Sequence, residues 1–550
     1  MTVVRASLVS FGIALVFAAA CGGKGGGVTG PTCAAGEIAC GQLCLDVTAD
    51  PTNCGGCGIP CATGQLCQGG ACQCPSGMVD CNGTCVADAA ACGAAGTGGA
   101  SGSLPLLVTS APGAYWNIDG AATEVTAGNA DVTVDDTATA QTWEGFGGAF
   151  NEIGWNVLSM LSDADRATAL RLLYGADGAR FAFGRIPIGA TDYSIDRYTL
   201  DETPGDTALA DFSIERDTQR LIPFVKAAQA VKGNIRFWAS PWTPPTWMKD
   251  GPFSTGNMPS SFDGGKMKGD ATTLAAFAQY LIAFVRAYAQ QGIPIETISP
   301  QNEPGYSGTY PTCGWSPATY TTFLRDHLGP ALADAGLTTK VMLGTFNGGS
   351  GDGSIVGSVT GDAGARAVVD VFGFQWGTRG MVGGLRQYHL PIWQTEHQCG
   401  NYPWGSPFNA TAAPNDHAYA VETWGLIRDW IKAGVTAYSA WNMVLDTTGV
   451  GIDTTRVWPQ DALLTVNTSA RTLIVTPAYY VFRHLSQFAA TGARVVGTSG
   501  GDALAFRNPD GSIVTVVRNA GAAKTMTVAV AGRKLQFAMP GDGWATVVAR

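Results

Sequence analysis

Two short stretches hold the residues whose types and spacing could do chemistry. Ser299-Pro300-Gln301-Asn302-Glu303-Pro304 ends an apolar, strand-like run and leaves a carboxylate beside an amide. Ile392-Trp393-Gln394-Thr395-Glu396-His397 repeats the arrangement later in the chain, with the glutamate flanked by polar groups. Two carboxyls that converge can break a glycosidic bond with retention: one attacks the anomeric carbon and the other protonates the leaving oxygen, at a separation of roughly 5–5.5 Å. The acid must stay protonated beside an ionised neighbour, and both the neighbour's charge and a dry site raise its pKa. A glutamate before a proline is by itself a common turn element; the pair carries the argument.

The elements that must bring the pair together are legible as apolar runs: 145–150, 182–188, 235–240, 295–299, 341–345, 369–374, 392–395 and 435–440. Eight strands alternating with helices predict a (β/α)8 barrel over residues 141–490, in which all strand ends open on one face. Glu303 ends the fourth strand and Glu396 the seventh, so both are expected at the barrel mouth. Ser162, three residues before Asp165, predicts a helix start. Ser316-Pro317 predicts another, with proline in the first helical position. Residues 272–290 carry Leu274, Phe277, Leu281, Phe284, Val285 and Tyr288 at helical spacing, which is a core stripe. Short alternating strands appear at both ends of this region, near 131–135 and again at 503–506, 512–517, 525–530 and 544–548. They predict one all-β sandwich assembled from residues 104–140 and 491–550.

Several longer segments now carry a family resemblance: Gly145 to Phe150, Arg185-Ile186-Pro187-Ile188-Gly189-Ala190-Thr191-Asp192-Tyr193, Ala239 to Lys249 with Ser240-Pro241-Trp242-Thr243-Pro244, Asn302-Glu303-Pro304 and Thr395-Glu396. In this order they resemble glycoside hydrolase family 30 from about residue 105 to the C-terminus. The resemblance implies that Glu303 is the acid/base, Glu396 the nucleophile and Asn302 the amide that holds the sugar 2-hydroxyl. It further implies sugar contacts at Glu152, Trp242, Trp376 and Trp441, and a supporting role for Arg185 at the catalytic carboxylates. His397 is expected to position the nucleophile or a sugar. Trp247, Trp393 and Trp404 are expected to pack in the core. Many members carry His-Trp-Tyr where this chain has Gln375-Trp376-Gly377, and glycine there is expected to widen the cleft. The segment from Asp192 to Asp217 is similar to the branch acting on β-1,6-glucan and glucosylceramide. The expected activity is endo-β-1,6-glucanase, with glucuronoxylanase, β-glucosidase or a non-catalytic glycan-binding protein as alternatives.

The composition and the remaining motifs bound these readings. Only 14% of residues are charged, against roughly 25% in an average soluble protein. The net charge of −10 with no basic run argues against nucleic acid as a partner. The five histidines show no ligand spacing, so no metal and no cofactor are predicted. Residues 1–20 hold Arg5 and then an uncharged run ending in three alanines before Cys21, similar to a bacterial lipoprotein signal. That resemblance implies lipid on Cys21 and an exported, outer-membrane enzyme on a Gly-rich tether of residues 21–32, with simple secretion as the alternative. Residues 33–92 contain twelve cysteines, and Cys33, Cys40, Cys44, Cys54 is echoed by Cys74, Cys81, Cys85, Cys92, with six and then three intervening residues in both copies. An exported segment so poor in large apolar residues is expected to be a disulfide-rich module, joined by a linker, 93–103, to the rest. Cys313 and Cys399 follow the two glutamates closely and are expected to form a disulfide between their loops. A monomer acting on polysaccharide is the overall expectation.

Overall fold

The apolar runs of the alternating region close on themselves because each strand is covered on both faces, by helices outside and by packed side chains within. The computed structural model describes residues 104–118, 120–253 and 260–550, together with short pieces between 37 and 86. The barrel strands are β1 (Gly145–Ala149), β2 (Phe183–Ile188), β3 (Arg236–Pro241), β4 (Ile295–Ile298), β5 (Lys340–Phe346), β6 (Val371–Gln375), β7 (Ile392–Glu396) and β8 (Ala437–Asn442). All neighbours are parallel, and β8 closes on β1, Gly145 pairing with Ala437.

The lower interior of the barrel is filled by Phe183, Trp238, Met342, Val371, Trp393 and Ala437. Burying side chains of this size stabilises by on the order of 2–3 kcal/mol each, so this end is a plug and chemistry is confined to the other. Strand β1 must be glycine-rich for the barrel to close. A Cβ on Gly147 would lie 2.5 Å from the Phe183 backbone oxygen, inside any tolerable contact.

Helix starts follow the local signals. Ser162 accepts from the Asp165 amide at the head of Asp163–Tyr174, and Ser316 accepts from the Thr319 amide ahead of Pro317–Thr322. The long helix Ala271–Gln290 is capped by Asp270 and buries the stripe from Leu274 to Tyr288.

Ten strands from both ends of the region form one continuous rolled sheet. In spatial order they are Ala114–Asn117, Leu106–Ala111, Gly543–Ala549, Ile513–Asn519, Asp502–Arg507, Arg494–Gly500, Val132–Thr142, Lys524–Val530, Arg533–Met539 and Thr123–Glu124. Both halves of the sheet turn side chains, among them Val132, Ala503, Val517, Val528, Leu535 and Val547, into a shared core separate from that of the barrel. This is the β-sandwich. Trp143, fully buried, joins it to the barrel, with its ring 4.7 Å from Phe146 and 5.7 Å from Phe506. His484, also buried, bonds Thr546 and Ser110 at 2.8 Å each, tying both ends of the sandwich to one barrel helix.

By contact density the chain divides into Met1–Gly96 and Thr97–Arg550. In the first unit three hairpins are described: Glu37–Cys40 with Leu43–Asp46, Leu66–Gln68 with Ala71–Gln73, and Val79–Cys81 with Thr84–Val86. Two of them lie on the repeated cysteine spacing and share a register, Cys40 opposite Leu43 and Cys81 opposite Thr84. Cys67, Cys72 and Cys74 are in disulfides. The expected signal, the lipid site Cys21, the tether and the 93–103 linker lie outside the described residues.

Candidate active site

The β4 end is folded so that Glu303 is held rather than merely present. Gln301 donates to the Trp242 carbonyl and accepts from the Trp315 indole, and the Glu303 amide bonds the Thr345 carbonyl at 2.9 Å. Glu303 adopts φ +53°, a left-handed conformation that costs a non-glycine residue energy and is kept only where its surroundings over-determine it. Its carboxylate accepts from the Tyr310 hydroxyl at 2.6 Å and from the Gln375 amide at 2.9 Å. Both donors are neutral.

Glu396, the last residue of β7, has a different environment. The Arg185 guanidinium donates to it at 2.6 Å and the Trp376 indole at 3.0 Å. Arg185 is fully buried, rises from β2, and also donates to Asn302 Oδ1 at 2.7 Å. Asn302 Oδ1 accepts from Thr345 as well, at 2.8 Å. Its oxygen is thereby occupied, and its Nδ2 has no acceptor among the described residues, leaving that amine for a ligand hydroxyl.

Glu303, Glu396, Asn302, Trp242, Trp376 and Trp441 line a single cavity. Burial, and then the charge of Glu396, push the Glu303 carboxyl up to about 7. One carboxyl is neutralised by a cation and the other is kept protonated near neutral pH. That asymmetry is what a nucleophile and a general acid require of each other. Aromatic faces can stack on the apolar faces of a sugar, with Trp242 and Trp441 stacked 5.3 Å apart.

Two of the expected sugar contacts lie elsewhere. Glu152 is buried but turned away from the cavity: it accepts from Arg216 through both oxygens at 3.0 Å and from the Ile195 amide at 2.8 Å. Its position one step past the β1 loop starts a helix, which directs the side chain outward. His397 follows the last strand residue, so the strand's alternation sends it to the outer face. There it bonds Tyr438 and Thr423, packs against Phe482, and is pushed down to about 3 by burial. The disulfide between Cys313 and Cys399 is absent, since both are buried free thiols. Cys313 belongs to the main barrel core, while Cys399 packs with the aromatic groups around the cavity. Gly377 is not among the residues lining the cavity, and its amide donates to the Asn347 carbonyl at 3.1 Å. Of the tryptophans expected in the core, Trp393 is there, Trp247 is partly buried, and Trp404 is 63% exposed.

Sequence reasoning missed five further cavity residues: Asp192, Tyr310, Arg456, Trp458 and Gln460. Asp192 lies inside the segment read as a motif and could have been singled out. Its carboxyl is held well above the usual range by burial and then by Glu396 and Glu303. Tyr310 reaches Glu303 from the loop after β4, and no spacing rule announces that contact.

A model described as the glycosyl hydrolase family 30 TIM-barrel domain matches residues 143–352, and one described as the family's beta sandwich domain matches residues 492–547. A Caenorhabditis elegans protein named putative glucosylceramidase 3 is 29% identical over 392 residues, 67% of this chain and 71% of that one. An Aspergillus fumigatus protein named endo-1,6-beta-D-glucanase neg1 is 28% identical over 417 residues, 70% of this chain and 81% of that one. Among solved structures, an endo-beta1,6-glucanase superposes with a TM-score of 0.68 at 23% identity, covering 81% of this chain and 99% of that one.

Proposed function

Because the chain belongs to glycoside hydrolase family 30, we propose that it is a retaining endo-β-1,6-glucanase working by double displacement on the Glu303 and Glu396 pair. The observation that carries the reading is the unequal setting of the two glutamates, Arg185 and Trp376 on one, neutral donors and a raised pKa on the other. Glu396 attacks the anomeric carbon while Glu303 gives its proton to the leaving oxygen, which departs as an alcohol. The glycosyl ester on Glu396 is then released by water, whose proton Glu303 takes as base. Asn302 Nδ2 holds the sugar 2-hydroxyl, and Trp242, Trp376 and Trp441 wall the ring.

The choice of β-1,6-glucan is supported by the relatives named for that activity. Relatives named as glucosylceramidases make a single β-glucoside the second reading. Product analysis of the purified protein on β-1,6-glucan, xylan, an aryl β-glucoside and glucosylceramide separates them. A ladder of oligosaccharides from β-1,6-glucan is expected. Turnover of the small glucosides without a ladder would overturn the endo-glucanase reading and leave the two-glutamate mechanism; binding without turnover of any of the four would favour a glycan-binding protein.

A further inference from the structure

A large aromatic side chain exposed in a folded protein has lost the burial it could have had, and it is informative when it borders a site. Trp404, on the loop after β7, is 63% exposed. The loop holding it is nevertheless well tied. Asn401 Nδ2 bonds the carbonyls of Asn409 at 2.8 Å and Pro459 at 2.7 Å, and the Trp458 indole bonds the Gly400 carbonyl at 3.1 Å. The ring is held out on a fixed support.

That support leads straight to the nucleophile. Trp376, which bonds Glu396, lies 5.8 Å from Trp458, and Trp458 lies 4.9 Å from Trp404, ring centroid to ring centroid. Such a spacing carries the aromatic wall outward from the cavity to the surface. Beside it stands Arg456, with its guanidinium carbon 5.9 Å from the Trp404 ring and 5.5 Å from the Trp458 ring. Arg456 Nε is shielded from solvent and has no hydrogen-bond partner, with the Asp453 carboxylate 3.9 Å away. A buried N–H of this kind costs free energy unless something accepts from it. Arg456 also lines the glutamate cavity and the smaller one that adjoins it.

We propose that Trp404 and Arg456 form a subsite for a second sugar unit of the substrate, adjoining the unit held between the two glutamates. Trp404 stacks on the apolar face of that sugar, and the partly exposed Arg456 guanidinium beside the ring donates to one of its hydroxyls. The subsite rests on the glycosidase reading and adds that the enzyme grips a chain rather than a single sugar.

The test is titration calorimetry of the full-length protein carrying Glu396→Gln, which holds oligosaccharides without cleaving them, against β-1,6-linked gluco-oligosaccharides of increasing length and a matching β-1,4-xylo series. Affinity should rise when the second unit is added. Adding Trp404→Ala should remove that rise, a loss of about tenfold for the longer ligands, the order of one aromatic contact. Trp404→Phe should restore part of it, and Arg456→Lys, which keeps the charge without the planar fork of N–H donors, should lower it. Melting curves of the variants check that the fold is intact. An unchanged length dependence in Trp404→Ala overturns the subsite, as does the absence of binding in both series. Length-dependent binding confined to the xylo series, and lost in Trp404→Ala, would keep the subsite and overturn the glucan assignment.

Discussion

At the scale of single residues, the site is an electrostatic arrangement in which the donors decide the roles. Glu396 has a guanidinium and an indole; Glu303 has a phenol and an amide. Replacing Glu396 with Gln removes the proposed attacking oxygen, and kcat on any β-glucoside that the protein hydrolyses should fall by on the order of 10⁴. In the proposed mechanism the Glu303 proton is needed for the first step, so activity should be present below about 7 and decline as pH rises through the raised pKa. Tyr310 donates to Glu303, a bond that favours the charged form and lowers the pKa. Tyr310→Phe should therefore move the alkaline limb to higher pH, and a pH profile of kcat/KM with a small chromogenic glucoside reads this directly. A limb that stays in place would mean that another group titrates. Arg185→Met leaves Glu396 without its cation in a buried place and should lower stability by about 3–5 kcal/mol, visible as an earlier urea midpoint.

At the scale of elements, strand β1 shows how the barrel constrains its own sequence. Its glycines allow the backbones of β1 and β2 to approach, and Gly147 faces the Phe183 carbonyl too closely for any side chain. Gly147→Ala should destabilise by about 1–3 kcal/mol through overpacking. The loss should appear in denaturant unfolding, while a Gly357→Ala control on an open helix face, where a Cβ meets nothing within 4 Å, should not lose stability. The loops after the strands follow a different logic. Alternation within a strand directs Glu396 inward and His397 outward, whereas beyond the strand the direction is set by what each loop meets.

At the scale of the whole molecule, the sandwich is interlocked with the barrel. Its strands come from both sides of the barrel sequence, and Trp143 and His484 bond or pack across the junction. Removing residues 491–550 would strip partners from the strand Val132–Thr142 and uncover Trp143. The truncated protein should be recovered as aggregate rather than as an active barrel, which size-exclusion chromatography with an activity assay would show. The export assignment also belongs to this scale. We propose that lipid on Cys21 holds the enzyme at the outer membrane. Cys21→Ser should move it from the detergent phase to the aqueous phase on partitioning, and unchanged partitioning would sink the anchor.

The sequence by itself determined the eight barrel strands and the sandwich drawn from both ends, because periodicity and capping residues are local properties of the chain; Glu396 ends its strand as expected, whereas Glu303 lies in the turn beyond Ile298. Arg185, Asn302, Trp242 and Trp441 came instead from the resemblance to glycoside hydrolase family 30, carried by contiguous segments of the chain. Tertiary structure alone decided the rest. Glu152 is engaged by Arg216, a residue supplied by a later helix, and Gln375 at the end of β6 meets Tyr310 from the loop after β4 at Glu303, with no spacing to connect them. Cys313 and Cys399 follow the two glutamates in sequence yet pack in different surroundings, because a loop's path depends on its packing partners. Trp404 stays exposed for a related reason: Asn401 and Trp458 hold its loop at the rim, and those partners become its neighbours only once the chain has folded.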